Sequence, residues 1–116
     1  MTLPETMRAV AIDKPGDPAV LINVDEPVPV PGDNDVLVRV AAAGVNRPDV
    51  LQRQGLYPVP PDASQLPGLE IAGEIVAVGP AVDAWTVGDN IMALTHGGGY
   101  AEYCRVDQGH CLPVPA

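Results

Sequence analysis

Gly44-Val45-Asn46-Arg47-Pro48-Asp49-Val50-Leu51-Gln52-Arg53-Gln54-Gly55-Leu56-Tyr57-Pro58 is the stretch on which the reading of this chain turns. It follows residues 35–43, the clearest half-buried strand. There Val36, Val38, Val40 and Ala42 fall on one face, with Asp35 and Arg39 on the other. Within the stretch, Pro48 suits the first turn of a helix, where a missing N–H costs little. Asn46 reads as the cap, and Asp49 suits the positive N-terminal end. Gly55 ends the segment. About two helical turns fit, too few to be stable without tertiary packing. Read from the residues alone, Asn46, Arg47, Asp49 and Tyr57 are either a helix cap, a surface ion pair and a packed ring, or one wall of a site.

Working outward, residues 7–12 and 20–24 read as strands joined by a turn at Lys14-Pro15-Gly16-Asp17-Pro18. A proline-rich connection leads into residue 35. Residues 69–78 form a long strand, and its interior Gly73 predicts a bend or a close backbone approach. Val87-Gly88-Asp89-Asn90 is a turn, 91–95 a strand, and His96-Gly97-Gly98-Gly99 a hairpin-like connection into a last strand at 100–106. Short strands with one small helix predict a β-barrel-like domain.

Composition agrees. The 116 residues form one domain by length, and such a domain buries roughly two-thirds of its unfolded surface. Fourteen prolines and twelve glycines among 47% hydrophobic residues favour short strands and turns over long helices or disorder. A net charge of −9 with six scattered basic residues predicts no nucleic-acid partner and no attraction to anionic membrane. No apolar run reaches membrane-spanning length, and the first residues carry no signal-peptide pattern. Cys104 and Cys111 could be linked in principle, but reduced thiols in a cytoplasmic protein are the simpler reading.

Other clusters carry less. Gly97-Gly98-Gly99 matches no phosphate-binding spacing and precedes no helix, so it reads as a turn. His96, Cys104, His110 and Cys111 match no metal-ligand spacing, so no metal site is expected. Glu70 and Glu74 share a strand face and read as solvated. Glu70 stands out because it lies in an otherwise apolar run between Gly68 and Gly73.

Five stretches together resemble the N-terminal half of a medium-chain dehydrogenase/reductase. They are Ala43-Gly44-Val45-Asn46-Arg47-Pro48-Asp49, Pro67-Gly68-Leu69-Glu70-Ile71-Ala72-Gly73, Val76-Ala77-Val78-Gly79, Val87-Gly88-Asp89 and Gly99-Tyr100-Ala101-Glu102-Tyr103. Within that superfamily the chain resembles the zinc-free quinone oxidoreductases, and the stretch from Asn46 to Pro58 looks like the branch containing the p53-inducible quinone oxidoreductase. The resemblance implies a mainly β, GroES-like, partly open β-barrel with one or two short helices. It also implies NADPH-dependent hydride transfer to a quinone or related small electrophile, in a cytoplasmic homo-oligomer. Reduction of activated enones is the near alternative, and a non-enzymatic binding module the distant one. Zinc-dependent relatives place a Cys ligand where this chain has Asn46 and a His ligand where it has Leu69, so the resemblance implies no zinc. It implies that Asn46, Asp49 and Tyr57 serve catalysis and that Asn46, Arg47 and Tyr57 meet the cofactor. Asn90-Ile91 departs from the Arg-Val common after Gly-Asp in relatives. No strand–G-x-G-x-x-G–helix unit occurs, so the dinucleotide-binding Rossmann domain is absent from these residues. The chain is therefore expected to be an excised or truncated catalytic domain, inactive alone.

Overall fold

The structure is a computed structural model that describes residues 2–115. Seven strands, one α-helix and two 3-10 turns follow in the order β1 (Thr6–Ile12), β2 (Leu21–Pro27), β3 (Asp35–Ala43), α1 (Arg47–Arg53), β4 (Glu70–Val78), β5 (Asn90–Leu94), β6 (Tyr103–Asp107) and β7 (Cys111–Pro113), with the 3-10 turns at Pro18–Val20 and Gln108–His110. β1 and β2 form an antiparallel ribbon. The other five form a sheet in the order β6-β3-β4-β5-β7. The ribbon joins this sheet through the 100–102 segment: Ala9 bridges Ala101, and the Val10 N–H donates to the Tyr100 carbonyl at 2.8 Å. From the other side, the Val40 N–H donates to the Glu102 carbonyl at 2.8 Å. The result is a mainly β, partly open barrel.

The core is the inner face of the five-stranded sheet. Val36 and Val38 meet Ile71, Ile75, Ile91, Ala93, Cys104, Val106 and Cys111, and Val40, Val82 and Trp85 pack against them. Fully burying each isoleucine contributes roughly 1.5–3 kcal/mol. The Trp85 indole N–H donates to the Gln108 carbonyl at 3.2 Å, so its polar edge is satisfied. On the outer face Arg39 pairs with Glu74 at 2.7 Å, half exposed and worth at most about 1 kcal/mol. That pair accounts for Glu74 as a solvated-face residue.

The structure corrects three expectations. The alternation expected along β3 holds for Val36, Val38 and the half-buried Val40, but Leu37 on the opposite face is buried too, and Ala42 is exposed. A register shift between Val40 and Ala42 leaves Ala41 unpaired and sets Ala42 opposite Ala72. One extra residue in one strand reverses the facing of the residues beyond it. The last strand begins at Tyr103, not at residue 100, because the 100–102 segment turns aside to meet β1 and β3. The triple-glycine connection is not a hairpin: β5 pairs with β4 and β7, whereas β6 pairs with β3. The short strand β7 was not expected at all.

Gly73 shows the close approach expected of it. A Cβ there would collide with the Arg39 carbonyl oxygen and lie 2.9 Å from a Val38 methyl. Gly73→Ala should therefore push β3 and β4 apart and cost about 1–3 kcal/mol. Chemical denaturation should show it, with Val30→Ser, at a site 78% exposed, as the unaffected control.

Candidate active-site wall

Helix α1 is defined at both ends by its own sequence. Asn46 is the N-cap in extended conformation, at φ −125° and ψ 159°. Asp49, at the third helical position, accepts the Asn46 backbone N–H at 3.0 Å. At the far end Gly55 takes φ 79°. Its N–H reaches the Gln52 carbonyl, and the Leu56 N–H reaches the Leu51 carbonyl. This paired closure is the glycine-dependent helix stop. Tertiary bonds anchor the short helix: the Arg53 guanidinium donates to the Gly16 carbonyl at 2.6 Å, and Gln52 Nε2 to the Gln65 carbonyl at 3.1 Å.

The structure draws two further residues to the N-terminus of α1. The Tyr100 hydroxyl donates to Asp49 Oδ2 at 2.7 Å. Asn46 Nδ2 donates to Glu70 Oε1 at 3.2 Å, across from the other side. Asp49 is 5% exposed, and its second oxygen, Oδ1, has no hydrogen-bond partner among the described residues. Burial and the Asp49 carboxylate together hold the Tyr100 phenol well above its ordinary titration range. The Glu70 carboxylate fits because residue 44 is glycine: a Cβ there would lie 2.7 Å from Glu70 Cδ.

Tyr57 stands apart from this network. It is half-buried and lines a cavity of about 190 Å³ with Gln52, Val59, Leu69, Leu94 and Thr95. That cavity meets a second, of about 450 Å³, at Ser64, Thr95, His96 and Gly97. Leu94 also borders a third, apolar space of about 590 Å³ against Ala42, Ala72, Met92 and Leu112, with Gly44 and Glu70 at its edge. Asn46 is half-buried beside Glu70 but lines none of the three, and Arg47 is exposed. The structure thus brings Asn46 and Asp49 together and sets Tyr57 beside Leu69. Sequence reasoning did not single out Tyr100. Its signal was the Gly99-Tyr100 motif, whose partner lies 51 positions away.

At Asn46 and Leu69, where the resemblance to zinc-dependent relatives would place ligands, the donor chemistry does not suit zinc. Leu69 offers no donor atom, and an amide such as Asn46 is a poor zinc ligand. Among the described residues no three His, Cys, Asp or Glu side chains group as a metal site. The His96 and His110 rings meet edge to face, with centres 5.4 Å apart.

Residues 32–116 match the alcohol dehydrogenase GroES-like domain, and the chain belongs to that family, within the medium-chain dehydrogenase/reductases. Its relatives include quinone oxidoreductases. That of Lama guanicoe is 43% identical over 99 residues, covering 84% of this chain and 30% of that protein. That of Sus scrofa is 40% identical over 111 residues, covering 92% and 34%. Among solved structures, the human synaptic vesicle membrane protein VAT-1 homolog-like protein superposes with a TM-score of 0.87 at 31% identity, over 95% of this chain and 36% of that one. The quinone oxidoreductase from Pseudomonas syringae gives 0.84 at 34%, over 94% and 34%. The chain spans about a third of the length of these relatives.

Both cysteines are buried and free. Burial raises the Cys104 thiol, and burial together with Asp107 raises Cys111 to about 11. A raised thiol pKa leaves little nucleophilic thiolate. Neither should be alkylated by iodoacetamide near neutral pH in the folded protein, and both should react once it is denatured; mass spectrometry reads the difference. The folded state holds the Cys111 proton more tightly than the unfolded chain, so this contribution to stability is intact below about pH 9 and is lost as pH rises to about 11.

Proposed function

We propose that this chain forms the substrate-side wall of a zinc-independent, NADPH-dependent quinone oxidoreductase. The observation that carries the reading is the donor set at two positions. An amide stands at Asn46 and a leucine at Leu69, where the resemblance to zinc-dependent relatives would put metal ligands, and Leu69 shares a cavity with the Tyr57 ring. Kinship with quinone oxidoreductases over most of this chain supports the same reading.

Bound NADPH would supply a hydride, and the quinone would leave as hydroquinone after taking up one proton. An electron-poor quinone accepts hydride without the Lewis acid that an alkoxide requires. It does need orientation, and donors where negative charge grows on oxygen. The Asn46 amide has two N–H groups, and Glu70 occupies one. The second is the donor proposed for the quinone oxygen. Tyr57, flanked by Pro58, Pro60 and Pro61, offers a ring face for a flat electrophile and a hydroxyl as a further donor. The stiff prolines lower the entropy lost in holding it.

In the protein that carries this domain, quinone-dependent NADPH oxidation should persist in the presence of a zinc chelator. Asn46→Ala and Tyr57→Phe should each lower it about a hundredfold, the roughly 2–4 kcal/mol carried by one donor acting in the transition state. Their melting temperatures should stay near wild type. Wild-type turnover in both variants, or loss of activity on chelation, would refute the reading.

A further inference from the structure

The structure assigns Tyr100 as a positioning residue for Asn46, acting through Asp49; this rests on the proposed role of Asn46 as a donor. The Asp49 carboxylate is buried, and among the described residues its two hydrogen bonds both fall on Oδ2: the Asn46 backbone N–H at 3.0 Å and the Tyr100 hydroxyl at 2.7 Å. With Oδ1 unpartnered, the carboxylate has no spare donor to compensate the loss of either. A buried carboxylate short of donors is costly and relaxes toward water or a proton. Removing the Tyr100 hydroxyl therefore loosens the group that fixes the Asn46 backbone.

Tyr100 is itself held firmly enough to act as the fixed point. Its backbone N–H donates to the Pro67 carbonyl at 3.1 Å, and the Gly99 N–H donates to the Gly68 carbonyl at 3.0 Å. Gly68 has φ 105°, and a Cβ there would lie 2.6 Å from the Tyr100 nitrogen and 2.7 Å from its ring. The ring thus rests against the turn that leads into β4. That same strand begins with Glu70, which accepts from Asn46 Nδ2. Asn46 is consequently gripped twice from one rigid corner. Its backbone is held through Tyr100 and Asp49, and its side chain through Glu70. With one amide N–H committed to Glu70, the direction of the other is set, which is what a donor aimed at a developing charge requires.

The test is made on the 15N-labelled chain by NMR relaxation of side-chain amides, with the Asn46 resonances assigned by their loss in Asn46→Asp. In the wild type the Asn46 Nδ2 group should be nearly as ordered as rigid backbone, at an order parameter of about 0.8. It should fall below about 0.6, the flexible range, in Tyr100→Phe and in Glu70→Ala. The Gln52 amide, bonded to the Gln65 carbonyl, should not change in either variant and serves as the internal control for a general loosening. An Asn46 amide as ordered in folded Tyr100→Phe as in wild type overturns the assignment. Should Tyr100→Phe not fold, the wild type still decides. An Asn46 backbone N–H that exchanges with solvent at the unprotected rate, or a mobile Asn46 side chain, overturns it as well. None of these readings depends on turnover, so a rigid Asn46 without an effect on quinone reduction would sink the proposed function and leave the positioning intact.

Discussion

The close approach of β3 to β4 at Gly73 is the constraint on which the rest depends. The missing side chain lets the Arg39 carbonyl sit where a Cβ would stand. β3 lies between β6 and β4, and β4 between β3 and β5, so this contact fixes the middle of the sheet. It also sets the height at which each strand leaves the barrel. β3 runs out through Ala43 into Gly44 and the Asn46 cap, while β4 starts at Glu70 on the same rim. The Gly44 N–H donates to the Glu70 carbonyl at 2.9 Å, so the two strand ends are tied where the site begins. A register slip of one residue would send Glu70 to the opposite face and away from Asn46.

Polar residues on this rim are arranged by burial as much as by pairing. Arg39 and Glu74 pair in solvent and contribute little. Asp49 and Tyr100 pair with the carboxylate almost fully covered, where a neutral donor matters because no cation among the described residues is bonded to it. Glu70 is exposed, and its reach to Asn46 depends on the open space above Gly44. Acidic side chains at positions 49, 70 and 74 thus act differently according to solvent access.

Much of the architecture was legible in the chain. Apolar residues at every second position from Val36 to Val40, the glycine inside residues 69–78 and the Pro48 and Gly55 limits of α1 are local signals, and each led to the element now observed, although Leu37 is buried on the face expected to be solvated. What escaped was non-local or below the length at which patterns register. The extra residue at Ala41 has no sequence mark, because Ala on either face of a strand reads alike. β7 is three residues long and is a strand only by virtue of pairing with β5. Gly97-Gly98-Gly99 was legible as a turn but not as to which strands it separates, since pairing partners are not written in a turn. At the site, the cap made by Asn46 and Asp49 was readable from spacing. Its link to Tyr100 was not, because a hydroxyl and a carboxylate 51 positions apart leave no periodic trace.

The order of strands in the sheet also shapes how the chain reaches this state. β6 lies beside β3, so Asp35 pairs with Asp107 and Arg39 with Tyr103, across most of the chain's length. The ribbon strand β1 is tied down by an N–H from Arg8 to Glu102, 94 positions away. Neither contact can form until residues 102–107 have been synthesised and gathered. Non-local topologies of this kind put loop-closure entropy ahead of its reward and fold in about milliseconds to seconds, far slower than helical bundles of equal size. Until the 100–107 stretch arrives, one edge of β3 is open to pairing with another strand. On a ribosome, the interval between the emergence of β3 and that of β6 is when this domain is most exposed to misassembly.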